Sequence, residues 1–207
     1  MLWQYIVDRY DEGEPIISSD IKLDMSESNC RRQFKILTDE GKLRRYENGV
    51  YYIPKKSCLG IEIPILPDYV IENKYISRNE KIFGYYSGLA FANQIGATTQ
   101  MPAVKEIVTN KIGSPLKRIK KDNRLFIIRK SRTEISEDNA RILQFLDFME
   151  NPEKYSELDS NELSACIARY VSNCNITKTD VDKYLSLYPN KIYKSIYETG
   201  LVNVLTQ

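Results

Sequence analysis

The apolar residues change period once within the first sixty positions, and that change restricts the fold more than any other feature. Cys30, Phe34 and Leu37 fall at i, i+4 and i+7, one face of a helix, and Gly41 follows as a residue able to take the left-handed conformation that ends one. Immediately afterwards residues 43–46 and 50–53 read as strands around Glu47-Asn48-Gly49, and Asn-Gly is a strong hairpin signal. Upstream, Leu2, Trp3, Ile6, Val7 and Tyr10 recur at helical spacing until Asp11, Gly13 and Pro15 stop them. Pro15-Ile16-Ile17 reads as extended, Ser18 or Ser19 as the cap of a short second helix over Ile21 and Leu23, and Ser26 or Ser28 as the cap of the third. Helix, strand, helix, helix, hairpin is the element order of a winged helix-turn-helix, expected over residues 1–58.

Residues 59–76 carry Pro64 and Pro67 but also an apolar run from Leu59 to Leu66, so the expectation is a packed, extended connector. A mixed α/β domain is expected over 77–207. Its elements are a helix over 82–92 with Gly84 and Gly88 on one face, a turn-rich loop over 94–102, and strands over 104–109 and 125–129. From about residue 134 the pattern is helical. Ser136 is expected to cap one helix, and Asp159 with Glu162, then Thr177 with Asp180, give two capping boxes. The fold class expected is therefore α+β: a winged helix, a mixed α/β domain and a helical tail.

Composition narrows the chemistry. The 207 residues contain no histidine, which excludes His bases, Ser-His and Cys-His pairs and Cys/His zinc fingers. Cys30, Cys58, Cys166 and Cys174 form no CxxC and read as reduced thiols. Glu106 between Lys105 and Lys111 lacks the acidic pattern of a nuclease core, and Ser87, Thr98 and Thr99 have no evident base. The expectation is a protein that is not an enzyme, with no catalytic residue, metal or cofactor. The fifteen tyrosines, Tyr85, Tyr86, Tyr184, Tyr188, Tyr193 and Tyr197 among them, suit either base stacking or half-buried packing. With no long apolar segment or signal-like start, a cytoplasmic protein without a membrane partner is expected.

The formal net charge of +2 conceals an asymmetry. Residues 105–133 carry ten Lys/Arg against Glu106 and Asp122, net +8, and residues 134–207 are net −5. Two readings stand: a footprint for a polyanion, with Lys117, Arg118, Lys120 and Lys121 contacting a nucleic-acid backbone, or a solvated basic loop balanced by the acidic tail. In the third helix, Ser28, Asn29, Arg31, Arg32, Gln33 and Lys35 avoid the apolar face. Arg can fork onto guanine, Asn and Gln onto adenine, and Ser and Lys can hold phosphates. Arg44, Arg45 and Asn48 of the hairpin are expected to reach the DNA backbone or minor groove. Because residues 1–60 have no net charge, binding by this part alone is expected to be weak and salt-dependent.

Two segments resemble a known family. Phe34 to Tyr51, ending in Gly49-Val50-Tyr51, looks like the third helix and wing of AbiEi-type antitoxins. Tyr86 to Pro102, with Thr98-Thr99-Gln100-Met101-Pro102, followed by Glu106 to Asn110, is similar to the opening of that family's second domain, although Ala97 stands where the family often has Leu. The resemblance implies a bacterial type IV antitoxin of an abortive-infection system. Its winged helix would bind repeats in its own promoter and repress the operon. Its second domain would counter a nucleotidyltransferase-like toxin without a stable complex, with homo-oligomerisation on the DNA left open. A stand-alone winged-helix regulator and a winged-helix-targeted nuclease are the alternatives.

Overall fold

The computed structural model describes residues 1–198, and the chain divides into two compact units, Met1–Lys74 and Tyr75–Gln207.

The first unit opens with helix α1 (Leu2–Val7), which buries Leu2 and Ile6 one turn apart. Strand β1 (Ile16–Ile17) leads into a single 3₁₀ turn, Ser18–Asp20, and helix α2 spans Glu27–Asp39. Ser26, not Ser28, caps α2, its hydroxyl accepting from Asn29 N at 3.3 Å. Strands β2 (Arg44–Glu47) and β3 (Val50–Tyr52) complete an antiparallel sheet in the order β1-β3-β2. Leu2, Ile6, Ile16, Phe34 and Leu43 are almost wholly buried in one core, each contributing about 1.5–3 kcal/mol of transfer free energy.

One local expectation is corrected here. The second helix over Ile21 and Leu23 is absent. Ser18, Ser19 and Asp20 have side chains that compete with helical hydrogen bonds. The next apolar residues, Ile21, Leu23 and Met25, all pack against the core from a non-helical segment that bends at Asp24 and Met25, where Met25 N donates to the Leu23 carbonyl at 2.8 Å. The hairpin turns on one left-handed residue, Gly49 at φ +76°, and its register slips between Arg45 and Glu47. Asn48 and Gly49 form the expected turn between the paired Glu47 and Val50, and the bulge lies within β2.

The stretch expected as an extended connector is folded. Strands β4 (Lys55–Lys56) and β5 (Glu62–Ile63) pair antiparallel, and helix α3 spans Pro67–Tyr75. Pro67 opens the helix, where its missing N–H costs nothing, and Val70 joins Val50, Tyr52 and Ile65 in a second small core. The apolar run does not pack as expected: Leu59 is 81% exposed and Ile61 66%.

The second unit begins with β6 (Ser77–Arg78) and β7 (Lys81–Ile82), a two-stranded ribbon. Strand β8 (Gly84–Ser87) and helix α4 (Gly88–Ile95) follow, so the expected helix over 82–92 is half strand. Gly84 explains the difference: a Cβ there would collide with the Tyr75 carbonyl and stand 2.7 Å from that of Val108, so backbone packs against it on both sides. Strands β9 (Val104–Thr109), β10 (Leu116–Lys121) and β11 (Arg124–Lys130) join β8 in the order β10-β11-β9-β8. Only the β9–β11 pair is parallel.

Helices α5 (Ala140–Met149), α6 (Pro152–Tyr155), α7 (Ser160–Asn173), α8 (Lys178–Leu185) and α9 (Lys191–Glu198) form the tail. Both capping boxes are present, at Asp159/Glu162 and Thr177/Asp180. Asn139, rather than Ser136, is the N-cap of α5. The core of this unit joins Tyr85 and Val108 of the sheet to Phe91, Phe145, Leu146, Ile167 and Ile192 of the helices. The described part is thus α+β, and no helix in it is long and apolar enough to cross a membrane.

Candidate nucleic-acid interface

The helical phase of α2 sorts the residues expected to meet DNA. Phe34 and Leu37 face the core, so Ser28, Arg31, Arg32 and Lys35 are exposed in a stripe on the opposite side, together with Glu27 and Asp39. Asn29 and Gln33 lie on one flank of the stripe and are half-buried, and Asn29 Oδ1 is enclosed without a hydrogen-bond partner.

The hairpin stands against this helix because Tyr51 stacks on Phe34, ring centroids 4.3 Å apart at 20°. That contact sets the width of a groove of about 440 Å³ lined by Arg31, Lys35, Thr38 and Asp39 of α2 and by Arg45, Asn48 and Tyr51 of the hairpin. Arg31, Lys35, Arg45 and Asn48 are therefore brought together. Arg45 Nη2 donates to Asn48 Oδ1 at 2.9 Å, which holds the Arg45 side chain along the turn. Arg31 Nη2 lies 2.9 Å from Glu27 Oε2, an exposed i, i+4 pair worth only a few tenths of a kcal/mol and easily exchanged for another anion.

Arg44 does not join the groove. It stands one residue from Arg45 and so on the other face of β2, where its guanidinium forks onto Glu62: Nε donates to Oε1 at 3.1 Å and Nη2 to Oε2 at 3.0 Å. Sequence reasoning grouped Arg44 with Arg45 and had no sign of Glu62, eighteen residues on.

In the second unit, Lys117, Arg118, Lys120 and Lys121 lie on the edge strand β10, not in a loop. Strand alternation divides them: Arg118 and Lys120 share one face, Lys117 and Lys121 the other. Lys117 Nζ donates to Tyr75 Oη at 3.3 Å.

The same unit holds a polar cluster that the sequence did not reveal. Ser87 pairs with Glu106, and Arg129 stands one row further along the same face of the sheet. Ser87 Oγ donates to Asp147 Oδ2 of α5, and Arg129 Nη2 donates to Ser87 Oγ at 2.8 Å and to Asp147 Oδ2 at 2.9 Å. Arg129 Nε lies 3.7 Å from Glu106 Oε2. Burial works against the Arg129 charge, but the Asp147 carboxylate outweighs it and holds the guanidinium pKa above its ordinary value. Burial, with Tyr188 and Asp147 nearby, raises the Tyr85 phenol well above its usual range. Ser87 is 4% exposed with both hydrogen-bonding roles of its hydroxyl in use, so the cluster ties sheet to helix. The available signal was Asp147, a carboxylate inside the otherwise apolar run of α5. Among the described residues, no three Cys, Asp or Glu side chains converge in a way that could hold a metal ion.

No family model matches this chain, and no curated protein matches it.

Proposed function

We propose that the N-terminal unit is a winged helix-turn-helix and that the chain is a DNA-binding autorepressor and antitoxin of the AbiEi type. In this reading α2 is the recognition helix, β2–β3 the wing, and the 3₁₀ turn with its irregular continuation a reduced second helix. The carrying observation is the groove between α2 and the wing, where Arg31, Lys35, Arg45 and Asn48 converge. Arg31 and Arg32 supply the bidentate donors suited to guanine, and Arg45 a backbone contact at the wing. The family resemblance in 34–51 and 86–110 supports the antitoxin role, with the second unit countering a nucleotidyltransferase-like toxin.

A mobility-shift assay with the full chain and the DNA upstream of its own gene tests the reading. A specific shift that an unrelated duplex does not compete away is the expected result. Co-expression with an adjacent toxin gene tests the antitoxin half, and growth should be restored only when residues 75–207 are intact. No shift with the upstream region, at low as well as moderate salt, rejects the repressor.

A further inference from the structure

The four-stranded sheet leaves part of one face open. By register, Lys120, Leu125 and Val104 form one cross-strand row, and Arg118, Ile127 and Glu106 the next. This is the face that α4 and α5 cover over β8 and β9. Towards β10 the cover ends: Val104, Leu125 and Ile127 are partly exposed, Arg118 and Lys120 exposed, and Leu116 is 46% exposed. Among the described residues neither Arg118 nor Lys120 has an ion-pair partner, whereas Glu106 is turned to Arg129. The result is a pair of unneutralised cations along an edge with an apolar strip directly inboard.

We propose that this face binds a single-stranded phosphodiester chain, Arg118 and Lys120 holding phosphates and unstacked bases lying over Leu125, Ile127 and Val104. The two cations are two residues apart on a strand, about 6.7 Å, a separation comparable to the step between neighbouring phosphates. A duplex fits less well. Its base faces are stacked away from the apolar strip, and β11 is paired on both sides, so the β10–β11 hairpin cannot enter a groove as a free ribbon. Single strands present both a charged edge and apolar base faces. The inference concerns the second unit and does not rest on the role assigned to α2.

Fluorescence anisotropy of the full chain against labelled uridine and thymidine homopolymers, an unrelated duplex and polyglutamate tests it. Homopolymer binding that depends on Arg118 and Lys120, beside duplex binding that does not, is expected, and the ratio of uridine to thymidine affinity tells whether RNA or DNA is the natural source. Replacing Arg118 and Lys120 by Ala should weaken homopolymer binding about tenfold at moderate salt and reduce the slope of log affinity against log salt by about 1.4, or 0.7 per phosphate. The Arg31→Ala/Arg32→Ala variant should bind homopolymers as wild type does. Circular dichroism confirms the fold of each variant. An unchanged salt slope in the β10 variant, a duplex affinity that falls as far as the homopolymer affinity in that variant, or polyglutamate bound equally well overturns the proposal.

Discussion

Thr98 donates its hydroxyl to Glu157 Oε2 at 2.7 Å, joining the loop after α4 to the loop before α7 across 59 positions of sequence. Thr99 adds its N–H at 2.9 Å and its hydroxyl at 3.1 Å, and Gln100 Nε2 donates to Oε1 at 2.8 Å. The Thr98-Thr99-Gln100 turn thus has a physical purpose in this chain: it supplies donors to one carboxylate.

Those donors, the Gln100 amide foremost, lower the Glu157 pKa to about 2. A depressed folded-state value stabilises the fold above the unfolded pKa of about 4.3, and the contribution is lost as pH falls through about 2. Thermal melts across that acid window should show the wild type losing stability, and Glu157→Gln should start lower at neutral pH with a flatter acid dependence. Parallel curves for the two proteins would show that the clasp contributes nothing.

Asp147 is 6% exposed at its side chain, Arg129 32%. Removing the carboxylate leaves the guanidinium without its main partner, so Asp147→Ala should cost about 3–5 kcal/mol in urea unfolding. Ser87→Ala removes two hydrogen bonds, the one Ser87 donates to Asp147 and the one it accepts from Arg129, and should cost about 1–3 kcal/mol. Because the three side chains share atoms, the double variant should cost less than the sum. Full additivity would mean that Ser87 and Asp147 act separately.

Local patterns carried most of the secondary structure into view. The third helix with its Gly41 stop, the strand over Val104–Thr109 and both capping boxes follow from contacts within a few residues. What failed depended on distant partners. Gly84 and Gly88 sit four apart as on a helix, yet Gly84 lies in a strand because the Tyr75 and Val108 carbonyls press on it. Ser87 gave no hint of Asp147, sixty positions away, and Arg44 none of Glu62. The exposed stripe of α2 was legible from helical phase alone, whereas the groove required the Tyr51–Phe34 stack.

Glu27 occupies the first turn of α2 and also holds Arg31, so its removal has two consequences of opposite sign. An acidic side chain at a helix N-terminus stabilises the helix by about 0.3–1 kcal/mol, and Glu27→Gln should lose most of that. The same change frees Arg31 and removes a negative charge from the stripe, so promoter affinity should rise by a few-fold, about 0.4–1 kcal/mol. Chemical denaturation and mobility shifts on one preparation measure both. Lower stability with unchanged affinity would place Arg31 away from the DNA.

The neighbouring arginines of β2 give the sharpest contrast. Arg45 is exposed beside Lys35 and Asn48 in the groove, and Arg44 is committed to a two-point bond with Glu62. If the wing meets the DNA backbone, Arg45→Ala should weaken binding evenly across sequences and reduce the salt slope by about one unit. Arg44→Ala should leave the slope unchanged, since its charge is already balanced, and should instead lower stability by about 1 kcal/mol or less for a half-exposed pair. Glu62→Gln separates the two roles: it should reproduce the stability loss of Arg44→Ala and leave Arg44 free, so the salt slope becomes steeper than wild type if that side of the strand also lies near the duplex. Equal effects of Arg44→Ala and Arg45→Ala on the slope would show that the DNA displaces Glu62 and that the ion pair is a reserve contact, not a brace.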